Sequence, residues 1–214
     1  AIVIIAGPVA IAARGNPDLA LLIAGLISLA CLALYARDVV QLYRKRVRRV
    51  IELNSRMAGI ALAHLAAATL LTVTFAAFDL FGRYGGALVF LVCFGWLSGL
   101  GLAKLYKIVA FVTWLECYGP VLGKTPTPRV QDLVLESRAI KWFWLYFIAV
   151  DVATLCLLLE APLVFRAAAA AMLLASAGIA LELVRTRRLV NVKAALRLPA
   201  GTRPPRLLVT FVAS

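Results

Sequence analysis

Histidine is nearly missing from this chain, with one among 214 residues, and acidic residues are few, ten against 23 lysines and arginines. A lone His64 cannot build a two-histidine metal or haem site by itself. No HExxH is present, no Ser, His and Asp set is recognisable by spacing, and the Gly123-Lys124-Thr125 triplet lacks the upstream glycine of a phosphate-binding loop. With no paired membrane carboxylates either, a hydrolase or lipid transferase is not expected. Four cysteines share no CxxC or other ligand spacing. Cys31, Cys93 and Cys156 fall in apolar runs and Cys117 at the end of one, where cysteine acts as a small hydrophobe.

What the chain has is apolar length. It is 64% hydrophobic and 15% charged, with a mean hydropathy of +0.95, and a soluble domain of this size does not have that composition. The net charge of +13 does not point to nucleic acid, because the basic residues lie between apolar segments rather than on one water-exposed patch. The expected class is an all-α, polytopic transmembrane bundle.

The central stretch is Gly85–Pro120. From Gly86 to Ala103 it carries no charge, and about 20 apolar residues cross a hydrocarbon core roughly 30 Å thick. Lys104 and Lys107 then mark where that helix meets headgroups or a bundle interior. Ahead of it, Ala1–Ala13 is apolar but short for a span and has no initiating Met. That start suggests a portion of something longer, with a cleavable signal peptide as the competing reading, although no basic region precedes the run. Arg14–Asp18 reads as a turn. Further spans are expected at Leu19–Ala36, Met57–Phe78, Trp142–Leu163 and Val164–Val184.

That makes about six spans in a bundle over residues 1–184, followed by a basic, proline-containing tail over 185–214. If the spans alternate, Arg14, Arg83 and Arg166 fall on one side and the other twenty basic residues on the opposite one, the positive-inside pattern of a protein with both termini in the cytoplasm. Residues 37–56 crowd Arg44, Lys45, Arg46, Arg48 and Arg49 among apolar residues at helical spacing. They are expected to form an amphipathic connection against anionic headgroups, or a surface for a partner subunit. A second polar connection covers 118–141.

Inside the spans, Gly95 and Gly99 form a GxxxG pair on which another helix can approach closely. Glu116 and Glu182 near the inner surface, and Asp79 and Glu160 near the outer one, are expected to be solvated. Two ionisable residues are set deeper, His64 and Asp151, each about 10 to 14 Å from the same surface by helical rise. A group of this kind at membrane depth costs several kcal/mol unless paired or wet. Three readings are open for the pair: a silent structural contact, a proton-handling or quinone-facing site, and a metal or haem ligand role for His64.

The segment GWLSGLGLAKLYKIVAFVTWLECYGP, with the basic connection before it and RMAGIALAHLAAATL, resembles uncharacterised bacterial membrane proteins related to the catalytic subunit of haem-copper oxidases. The resemblance covers at most residues 37–145. It implies an inner-membrane, respiratory context; the cofactor is unknown, and haem or quinone fits that context but has no ligand motif behind it. That superfamily works through several helix-borne histidines, so the resemblance carries no redox site onto His64. The expected function is a non-catalytic integral subunit of a larger membrane complex, with a respiratory or redox enzyme as the favoured host; the alternative is a small transporter or proton conductor using His64 and Asp151.

Overall fold

The computed structural model describes residues 17–45 and 51–198, with Thr202 and Pro205. The described residues are helical, without strands. Helix α1 spans Pro17–Arg44, α2 Leu53–Ala77 and α3 Phe81–Phe90; a π-helical segment, Leu91–Ser98, joins α3 to α4 at Gly99–Tyr118; α5 spans Glu136–Leu158 and α6 Pro162–Arg187. Five of the resulting rods are long and apolar enough to cross a membrane, the π segment fusing α3 and α4 into one of 41 residues, Phe81–Val121. Ala1–Ala13, Arg46, Arg48 and Arg49 lie outside the described residues.

The bundle has two chemically distinct ends. At one, called the far end here, the connections are tight. Helices α2 and α5 stop on Asp79 and Glu160, both at φ 54°, and Leu80 and Ala161 donate their N–H groups back to the carbonyls of Phe75 and Cys156 at 2.8 and 2.9 Å. This left-handed termination satisfies carbonyls that a helix end would otherwise leave open. Arg83 bridges to Glu160 at 3.0 Å and ties the two turns together.

The other, basic end is clasped by ion pairs. Glu182 accepts from Arg138 at 2.7 Å and from Arg185 at 2.6 Å, and Arg138 reaches on to Asn191, whose amide donates to the Leu133 carbonyl. Arg187 donates to Glu116 and Thr113, Lys107 pairs with Glu52, and the Glu136 carboxylate accepts from the Leu53 N–H that begins α2. Glu182 is 2% exposed, which corrects the expectation that it is solvated. A carboxylate is tolerated there because two guanidinium groups pair with it, both through Oε1.

Several boundaries differ from expectation. Residues 37–44 are not part of a separate surface helix: nothing in them breaks a helix, and α1 runs through Arg44, where Arg44 and Lys45 are exposed. Likewise α2 starts at Leu53, so the basic connection expected over 37–56 is shortened from both sides. The loop expected over 118–141 gives up its last residues to α5, which starts at Glu136. Beyond α6, Leu189 and Val192 pack with Cys117, Tyr118 and Leu133 into a second small core at the basic end.

The main core lies where α2, the π segment, α4, α5 and α6 meet. Met57, Ala61, Ala103, Phe143, Phe147, Val150, Ala175 and Ile179 are among its buried members. Small residues set the helix spacing: a Cβ at Gly178 would lie 2.2 Å from the Trp142 ring, so α6 can approach α5 only with hydrogen at that position. Helix α1 packs on α2, where Gly25 meets Val73, and otherwise leaves most of its surface uncovered.

Candidate functional site

The π segment is where the polar residues of the bundle interior gather. Leu91, Gly95, Gly99 and Ala103 are all buried on one side of the rod. In a straight α-helix a step of four residues drifts by about 40°, so four such positions would wind off the contact face. Widened π turns hold the row straight. Ser98 Oγ donates to the Cys93 carbonyl five residues back at 2.8 Å, and the buried Tyr146 hydroxyl of α5 donates to the Phe94 carbonyl at 2.9 Å. Carbonyls loosened by the π turns are satisfied in this way.

Against the bare face of Gly95 and Gly99 sits a stack of two rings. His64 of α2 and Phe147 of α5 lie with centroids 5.4 Å apart and planes 19° from parallel. A Cβ at Gly95 would be 2.9 Å from His64 Cδ2, and one at Gly99 would be 2.6 Å from Phe147 Cε1. The GxxxG pair is therefore a slot for the stack, filled from within the chain.

Both ring nitrogens of His64 are engaged. Nδ1 is 2.9 Å from the Ile60 carbonyl oxygen and Nε2 is 2.9 Å from Asp151 Oδ1. A carbonyl only accepts, so Nδ1 carries a hydrogen and donates it. The contact at Nε2 then needs one proton between ring and carboxyl: an imidazolium facing a carboxylate, or a neutral ring facing a carboxylic acid. Either form leaves the pair with no net charge. Gaining or losing a proton would put a charge among apolar side chains.

The two partners differ in surroundings. The His64 side chain is 8% exposed and the Asp151 side chain 59%. Asp151 belongs to the outward face of α5, a stripe of Trp144, Ile148, Val152 and Leu155 that is otherwise apolar and exposed. Between Lys141 and Glu160 it is the one charged residue in the sequence. By helical rise it lies about 20 Å from Arg138 and about 13 Å from the far-end Glu160. Lys141 is about 15 Å away by the same rise, so Asp151 sits near the middle of the otherwise uncharged stretch between Lys141 and Glu160.

The structure places His64 against Asp151, the pair that sequence reasoning expected, and brings to it the separately expected Gly95 and Gly99 pair. It adds Phe147, Tyr146 and Ser98. A haem iron or other metal would have to take a His64 nitrogen from Ile60 or Asp151, and among the described residues no group of three His, Cys, Asp or Glu side chains is placed to hold a metal. The residues present do not fit a haem ligand role. Comparison of the chain with protein-family models, with curated proteins and with solved structures finds no match in any of the three.

Proposed function

We propose that this chain is a multi-pass, integral subunit of a larger inner-membrane complex, not catalytic by itself, with six spans and both termini in the cytoplasm. The observation that carries this reading is the half-open carboxyl of Asp151 in the middle of an outward apolar stripe. A carboxyl group with one oxygen turned toward acyl chains is costly, and a covering helix removes the cost. The skew of basic residues to one end supports the orientation. Resemblance of residues 37–145 to relatives of the haem-copper oxidase subunit favours a respiratory or redox host.

Native mass spectrometry of the chain extracted from its own membrane in mild detergent, with a visible absorption spectrum of the same sample, tests the reading. A stable assembly with other chains is expected, and any haem band should travel with those chains. A colourless monomer or homo-oligomer would sink it.

The one-proton hydrogen bond between His64 and Asp151 favours a second reading, a transporter or proton-conducting protein. On that reading Asp151→Asn abolishes proton flux into proteoliposomes while the yield of folded protein stays the same. Unchanged flux would remove it.

A further inference from the structure

The same carboxyl group says what kind of partner covers it. Asp151 gives Oδ1 to His64, and among the described residues nothing bonds its second oxygen. Above and below it on α5, Trp144, Ile148, Val152 and Leu155 are exposed at helical spacing, so the open oxygen is set in an apolar strip several turns long. Lipid acyl chains would match the strip but offer no donor to the oxygen. Water would match the oxygen but not the strip.

We infer that the outward face of α5 is the docking surface for a transmembrane helix of a different chain, which carries an N–H or O–H donor opposite Asp151. This rests on the subunit reading above and names the partner class at that surface. A second copy of this chain fits poorly. Two-fold pairing about α5 would set Asp151 against Asp151, acceptor facing acceptor, and the described lysines and arginines of this chain flank the uncharged stretches of its helices, away from the level of Asp151. A helix with a donor matches the strip by shape and the oxygen by charge. In hydrocarbon an interhelical bond of this kind selects register as well as partner.

The test uses the full chain in its native membrane, with a photoreactive benzoylphenylalanine placed at Ile148 or Leu155 on the strip, and at Leu173 or Leu174 on the exposed face of α6 as controls. Both strip positions should capture one and the same foreign chain, within a transmembrane helix bearing a donor. Asp151→Leu should lower that yield roughly tenfold, the scale of one interhelical hydrogen bond. Replacing the partner's donor by alanine should do the same.

Val152→Trp blocks the strip without touching His64, so it should lower capture even if Asp151→Leu fails to fold. Capture of a second copy, adducts with lipid alone, or a yield that neither variant changes would each overturn the docking surface. If native mass spectrometry still shows an assembly in those cases, the subunit reading stands and only this surface is wrong. If it shows no assembly, the subunit reading itself has failed.

Discussion

A methyl group added at Gly95 would have to push the His64 ring or Leu91 aside, and one at Gly99 would meet Phe147 at 2.6 Å. Since both rings belong to one stack, neither can yield without disturbing the His64–Asp151 bond. Gly95→Ala and Gly99→Ala should each lower stability by about 1 to 3 kcal/mol, the usual cost of overpacking. Gly101→Ala, with nothing within 4 Å of its Cβ, should cost nothing. Denaturation in mixed detergent micelles would measure all three; equal effects at Gly95 and Gly101 would mean that the slot is not tight. At this scale the sequence was informative where a residue type was rare. One histidine and one mid-span aspartate stand out in apolar runs, whereas Phe147 and Tyr146 lie in WFWLYF, where no periodicity says which aromatic stacks on the histidine and which caps a carbonyl. Glu182 was misjudged for a related reason. Its distance from a helix end was legible, but its two arginine partners come from Arg138 on another helix and Arg185 on its own.

Among elements, the π segment carries the most consequence. Its wide turns keep Leu91, Gly95, Gly99 and Ala103 in one row, and the Phe94 carbonyl accepts both the Gly99 N–H and the Tyr146 hydroxyl. Tyr146→Phe removes that hydroxyl and keeps the ring. The expected cost is about 1 kcal/mol, because the Phe94 carbonyl keeps the Gly99 N–H as a donor. Hydrogen exchange should quicken at residues 91–98 before it quickens in α6; uniform change along the bundle would show that the hydroxyl does not hold the π geometry. Nothing in LVCFGWLS announces a π turn, because the composition is that of any apolar span. The four-residue spacing of small residues was visible, but it reads equally as a contact face of an ordinary helix. Helix existence was legible from uncharged length; helix ends were not. Arg37–Arg44 and Glu136–Lys141 carry charge but no glycine or proline, so charge marked the membrane boundary while the helices ran through it.

For the whole molecule, the rod Phe81–Val121 sets a scale against which the rest can be placed. Its 41 residues extend about 60 Å, twice the thickness of a hydrocarbon core. Arg83 at the far end and Lys104 are about 31 Å apart by the same rise, so the uncharged stretch between them is long enough to fill the core, and the part of this rod past Lys107 is expected in water or headgroups. The clasp of Glu52 on Lys107 and of Glu136 on the Leu53 amide puts the starts of α2 and α5 at that same level. Ile108, Phe111, Val112 and Leu115 are nevertheless about half exposed, and hydropathy alone would put them in lipid. Cysteine scanning on a background without the four native cysteines separates the two assignments. Val112→Cys and Leu115→Cys should react with a membrane-impermeant maleimide added from the side of Lys124, while Val89→Cys and Leu97→Cys stay silent from both sides. Glu160→Cys should react only from the opposite side. Silence at 112 and 115 would mean that the rod lies tilted or that another chain covers it, and repeating the labelling in a detergent harsh enough to dissociate the assembly tells these apart, since that removes a covering chain but leaves a lipid-facing residue in the micelle.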